Sequence, residues 1–131
     1  MIDKERILAK IDELNNYLEE LGNIKPSSFE EYQRENKRAC ERLLQISIEC
    51  VIDVCNLIVS GLKLGLPSDE DELVNKLINK KIISKKIGDI LKGMKGFRNI
   101  LVHKYGEVDD ELAFENLENL EDFEKFKKEI I

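Results

Sequence analysis

Apolar residues recur along this chain at three- and four-residue steps almost from end to end. No two-residue alternation competes, so the spacing predicts helices throughout. The first runs from about residue 2 to 21, with Ile7, Ile11, Leu14, Leu18 and Leu21 on one face and Gly22 as its stop. Beyond Pro26 a second begins at "SFEE", where Ser28 as N-cap and Glu31 three residues on form a capping-box pattern. It is expected to continue to Ser60, ahead of Gly61 and Gly65. Ser68 is the expected cap of a short third helix with Leu73, Val74, Leu77 and Ile78 inward and acids in its first turn. The fourth starts near Ser84 and carries the cleanest stripe, Ile83, Ile87, Ile90, Met94, Phe97 and Leu101. Gly88, Gly93 and Gly96 sit inside it at a cost of about 1 kcal/mol each against alanine, which calls for close approach of another backbone. The last helix starts near Asp109. Its Phe114, Leu117, Leu120, Phe123 and Phe126 recur every three residues, a drift of about 60° per step that predicts a bent or broken helix touching two neighbours in turn. The expected architecture is an all-α antiparallel bundle of about five helices forming one domain over residues 1–131.

The second helix is the spine by length. Arg34, Arg38, Arg42, Gln45, Glu49, Asp53, Asn56 and Ser60 fall on one stripe, and from Leu43 onward almost everything off that stripe is apolar. Most of its circumference is therefore buried, against other helices or a second copy of the chain. The stripe itself is either a solvent-facing strip or the polar wall of a cleft, and Glu49 with Asp53 offers at most a weak carboxylate pair for a metal.

Charged residues make up 37% of the 131, above the average of about 25%, while 42% hydrophobic content is ample for one core. No charged-then-apolar leader opens the chain, and no uninterrupted apolar run reaches the roughly 18 residues of a membrane span, so a cytoplasmic protein without a membrane role is expected. Cys40, Cys50 and Cys55 share one predicted helix and read as small buried hydrophobes of a reducing compartment. One histidine far from them makes no zinc site, and no metal or cofactor is called for. Net charge is −6, which argues against broad nucleic-acid binding, but it is segregated. Residues 76–104 hold nine Lys/Arg and one acid, against ten acids and three lysines in residues 105–131. A positive patch there would attract a phosphate backbone; a solvated lysine face explains the charge equally well.

That basic block contains "GFRNILVHKYGEVD", with the only histidine of the chain, His103, five positions after Arg98 and two before Tyr105. Arg98 lies on the flank of the apolar stripe, where a guanidinium must snorkel outward or meet a partner. Asn99 and His103 are four apart and share a face, about 140° round from Arg98 in the histidine's case. From spacing alone, a helix end decorated by a cation favourable to its dipole and a chemical site weigh evenly.

These residues resemble the signature of the HEPN superfamily, and specifically its HepT-like toxin branch: Arg, four residues, His, any residue, Tyr, matched at Arg98, His103 and Tyr105. Asn99 is the polar residue often found directly after the arginine, and the following "VD" is common too. "ERLLQISIECVIDVCNLIVSGLKLGLP" is similar to the family's long second helix and the loop after it, and "KLINKKIIS" to the turn before the fourth. Leu57 stands where relatives often place a histidine, so any role of that histidine is missing. The resemblance implies a homodimeric, metal-independent endoribonuclease with Arg98 and His103 as catalytic residues and Asn99 and Tyr105 in support. It further implies the toxin half of a toxin–antitoxin pair, silenced by a small MntA-type nucleotidyltransferase that attaches AMP to Tyr105.

The residue types suit that chemistry. Cleavage of RNA by its own 2′-hydroxyl needs a base, an acid for the leaving 5′-oxygen, and a cation on the phosphorane. Imidazole serves as base or acid near neutral pH, and arginine offers forked donors to phosphate oxygens. A two-fold dimer with its fourth helices facing would supply two of each and would explain both the glycines and the flank position of Arg98. The competing reading is a non-catalytic helical partner of a minimal nucleotidyltransferase.

Overall fold

A computed structural model describes residues 2–103 and 109–130 of the chain. Among the described residues there are seven helices and no strand: α1 (Lys4–Ile24), α2 (Phe29–Arg34), α3 (Lys37–Gly61), α4 (Glu70–Asn79), α5 (Lys85–His103), α6 (Asp110–Glu118) and α7 (Glu121–Ile130). The all-α expectation holds. The number rises from five because two of the expected helices each divide.

The first division is at Asn36, whose backbone is left-handed at φ 57°, a conformation asparagine tolerates better than most residues. The short piece before it, α2, is capped as expected: Ser28 Oγ accepts from the Glu31 N–H at 3.1 Å, while the Ser27 hydroxyl donates to Glu31 Oε2 at 2.7 Å. Its Tyr32 is fully buried and packs with Phe29 against Phe114 of α6, ring centroids 6.0 and 5.7 Å away. The second division, at Asn119, separates α6 from α7 and resets the phase of the three-residue aromatic repeat, so Leu117, Phe123 and Phe126 all reach the core. Gly22 does not stop α1. The helix runs on to Ile24 and ends because Pro26 forces Lys25 into an extended conformation, ψ 123°. The cap of α4 is Asp69, which accepts from the Glu72 N–H at 2.8 Å; the expected cap, Ser68, instead binds the Glu72 carboxylate through its backbone and hydroxyl. Asp109 caps α6, and Ser84 Oγ accepts from the Ile87 N–H at the start of α5.

At the centre lies α3, with α1 along one side and α4 and α5 along another. By length and composition it could cross a membrane, contrary to the reading of an interrupted apolar run, but half of its apolar stretch is buried inside this fold. Cys40, Leu44, Ile48, Val51, Val54, Cys55, Ile58 and Val59 are all buried, so one chain covers most of the circumference without a second copy. Burial pushes the Cys50 thiol up to about 11 and the Cys55 thiol up to about 12, and all three cysteines are free, in keeping with their reading as core residues.

The three glycines of α5 have different causes. A Cβ at Gly88 would collide with the Ile78 side chain, 2.8 Å from Cγ1, so α4 packs directly on the backbone there. Gly93 and Gly96 have open space over them and border a cleft of about 330 Å³ between α5 and the α6–α7 pair. Gly88→Ala should therefore destabilise by about 1–3 kcal/mol through overpacking. Gly93→Ala should be neutral or stabilising by up to about 1 kcal/mol. Urea midpoints of the two variants against the parent chain provide the check, and equal midpoints for both would be inconsistent with the packing described.

Candidate active site

Arg98 lies on α5 five residues before its last residue, on the flank of the buried Met94 and Phe97. Its side chain is only 16% exposed, so solvent cannot carry the guanidinium. Two carboxylates do. Nη2 pairs with Oε1 of Glu70, in the first turn of α4, and Nη1 lies 3.8 Å from Oε2 of Glu49, on the polar stripe of α3. Gln45, one turn earlier on that stripe, donates to the same Glu49 oxygen at 3.4 Å. The Arg98 Nε is buried with no hydrogen-bond partner among the described residues. Of the two outcomes open to a flanking arginine, meeting a partner is the one realised, and its own chain supplies two.

One turn before Arg98, Lys95 pairs with Asp71 at 3.0 Å, so the acidic first turn of α4 faces the cations of α5 residue for residue. Lys76 and Lys85 are likewise paired, with Glu72 at 3.6 Å and Asp89 at 2.8 Å, and Lys92 donates to Asn75 at 2.7 Å. Four of the nine cations of this block thus pair with acids among the described residues, Arg98 and Lys95 included, and the surroundings of Arg98 are mixed in charge rather than a positive patch. The polar stripe of α3 divides between both of its readings. Gln45 and Glu49 are half-buried against Arg98, while Arg38, Arg42, Asn56 and Ser60 face solvent. Glu49 and Asp53 do not form a metal pair, since Asp53 turns to Lys10 of α1 at 3.4 Å and Glu49 to Arg98.

His103 is the last residue of α5, about 7.5 Å further along the axis than Arg98. Only its backbone is described, and Tyr105 lies outside the described residues. Asn99 is half-buried and, among the described residues, has no side-chain hydrogen-bond partner. Downstream, Asp110 at the start of α6 is tied to Lys37 at the start of α3, 2.6 Å between Nζ and Oδ1. Residues 104–108 are therefore flanked by two anchored elements, α5 and α6. Glu49 stood out in the sequence only as a weak metal carboxylate or part of a cleft wall, and Glu70 not at all as a site residue. Glu70 reads as an ordinary N-terminal acid suited to the helix dipole. The available signal was the unmatched arginine on an apolar flank, which demands a carboxylate from some other element.

Comparison with known proteins adds to this geometry. Residues 7–130 match the family described as Ribonuclease HepT-like. The chain is 27% identical over 101 residues to YutE of Bacillus subtilis, covering 77% of this chain and 60% of YutE. It is 28% identical over 110 residues to the tRNA nuclease HepT of Aphanizomenon flos-aquae, covering 82% of this chain and 75% of that one. In fold it is similar to the tri-AMPylated Shewanella oneidensis HEPN toxin solved in complex with MNT antitoxin. That likeness has a TM-score of 0.87 at 26% identity, over 99% of this chain and 98% of the toxin.

The pairing has a consequence for stability. Glu70→Ala should leave the mostly buried guanidinium short of a partner and destabilise the fold by about 1–3 kcal/mol, whereas Glu70→Gln, which keeps an acceptor, should cost less. Chemical denaturation of the two variants measures this, and a Glu70→Ala chain as stable as the parent would contradict the pairing.

Proposed function

Because this chain belongs to the HepT-like ribonuclease family, we propose that it is a metal-independent endoribonuclease, the toxin half of a toxin–antitoxin pair, with Arg98 and His103 as its catalytic residues. The observation that carries the reading is the placement of Arg98: held by carboxylates from two other helices, with the single histidine of the chain on the same helix one and a half turns on. An arginine so constrained presents its remaining donors in a defined direction, which is what stabilising a phosphorane demands. In the proposed reaction the 2′-oxygen bonds to phosphorus as the bond from phosphorus to O5′ breaks. One imidazole takes the 2′-hydroxyl proton and an imidazolium returns a proton to O5′, leaving a cyclic phosphate and a 5′-hydroxyl. One group cannot be base and acid in the same step, so two chains each contributing a histidine meet the requirement. The homodimer rests on this need for two histidines; neither the cleft that Gly93 and Gly96 share with α6 and α7 nor the apolar circumference of α3, covered within the chain, bears on it. The relative named as a tRNA nuclease supports RNA as substrate, and the toxin solved with its MNT antitoxin supports a nucleotidyltransferase partner.

Arg98→Ala and His103→Ala should each lower RNA cleavage in EDTA by about 100-fold or more. Both variants should stay folded, since Glu49 and Glu70 are exposed enough to be hydrated once the guanidinium is gone. Light scattering should give twice the 15.2 kDa of one chain for parent and variants alike. Undiminished cleavage by either variant, or cleavage that requires a divalent cation, would refute the mechanism; a 15.2 kDa species alone would refute the dimer.

Control is proposed to act at Tyr105. AMP on its hydroxyl would place a phosphate's negative charge two residues from His103 and compete for the cations that substrate needs. A partner nucleotidyltransferase with ATP should add AMP to the parent chain and suppress cleavage, while Tyr105→Phe should escape both. Intact mass after incubation is the measurement, and an equal adduct on the Phe variant would exclude this residue as the target.

A further inference from the structure

Arg98 is the arginine the proposed reaction needs, yet in the free chain two carboxylates already compensate its charge. A polyanionic substrate must then be drawn in by cations that are not so committed, and the stripe on α3 carries them. With 100° per residue, Arg38 and Arg42 fall within about 20° of Glu49 round α3, so all three point to the same side of the helix. Glu49 points at Arg98.

The two helices run antiparallel. Arg98 sits level with Glu49, whereas the residues of α5 before it, Leu91 to Lys95, lie beside Val51 to Cys55. Asp110, just past the end of α5, reaches Lys37 at the very start of α3. Moving from Glu49 toward the start of α3 is therefore moving along α5 from Arg98 toward His103. Arg42 is seven residues up, about 10.5 Å, close to the level of His103 at about 7.5 Å. Arg42 is exposed and has no partner among the described residues. Arg38, one turn further, meets only Glu41 at 3.0 Å and stays 72% exposed. The first turn of α3 holds Lys37 and Arg38 and no acid, so the positive end of the helix dipole reinforces these cations.

We infer that Arg42, with Arg38 beyond it, is a phosphate-binding subsite for single-stranded RNA, holding the strand beside the Arg98–His103 pair. The inference rests on the proposed ribonuclease reading for its substrate. Arg42 acts in binding and not in the bond-breaking step: it is displaced along α3 from Arg98, and its free guanidinium can fork onto phosphate oxygens without giving up an ion pair.

The test uses a labelled single-stranded RNA oligonucleotide and the His103→Ala chain, so that the probe is not consumed. Binding is measured across a salt series. Arg42→Ala in that background should weaken binding about 5-fold and lower the slope of log affinity on log salt by about 0.7, one phosphate contact on a single strand. Arg42→Lys should keep the slope, showing that charge and not folding is responsible. Arg6→Ala, which removes an exposed arginine on α1, should change neither quantity. In the chain with His103 intact, Arg42→Ala should raise KM about 5-fold with kcat unchanged. A slope and affinity for Arg42→Ala equal to those of Arg6→Ala overturn the inference. Should the parent chain cleave RNA in EDTA while Arg42→Ala binds and cleaves like it, the subsite alone fails. Should Arg42 govern binding in a parent chain that does not cleave, the subsite stands and the ribonuclease reading fails.

Discussion

Most of this architecture follows from the burial of α3. A 25-residue helix whose apolar positions occupy more than half of its circumference cannot stand alone in water, and it needs cover on several sides at once. α1 lies along one side, while α4 and α5 close another. What is left to polar residues is the single line from Arg38 to Ser60, half-buried at Gln45 and Glu49 and exposed on either side of them. Any helix packed beside α3 must bring its own polar flank to the edge of that line, and α5 brings Arg98. The meeting of Arg98 with Glu49 is thus an outcome of how the core closes, and the chemistry is sited where hydrophobic cover ends.

Charge is distributed with the same economy of position. The acids in the first turn of α4 answer its dipole and also face Lys95 and Arg98 across the helix pair. A segment that is strongly basic when read in isolation is thus compensated in the fold where it meets the first turn of α4. On α3 the cation left without a partner among the described residues is Arg42, which faces solvent on the same side of the helix as Glu49.

The small elements around the spine hold the ends. α2 fills the space over α6 with Phe29 and Tyr32 against Phe114, and Lys37 fastens the start of α3 to Asp110. With Ser84 bound to Glu129 through its backbone and hydroxyl, the start of α5 is tied to α7 as well. The helix that carries Arg98 is therefore held at its start by Glu129 and, along its length, by the pairs that Lys95 and Arg98 make with α4.

Local rules were enough for much of this. Helical periodicity identified every long element, Ser28, Ser84 and Asp109 were legible as starts, and the strict spacing of Phe114, Leu117, Leu120, Phe123 and Phe126 signalled a break because no continuous helix can bury such a set. The motif Arg98, His103 and Tyr105 was equally readable, being contiguous. Choices between near-equal local alternatives were not: Gly22 as an end against Pro26, Ser68 against Asp69 as a cap, continuity against a turn at Asn36. Each depends on small differences that packing overrides. The partners of Arg98 lay further still from reach, because Glu49 and Glu70 are 49 and 28 positions away and nothing local couples them. By itself the sequence determined the helices, their buried faces and the residues of the motif, since these depend on neighbours three and four positions apart. Only the tertiary structure decided which carboxylates compensate Arg98 and which arginines stay free, because ion pairing across helices is set by how the apolar faces lock together and leaves no periodic trace along the chain.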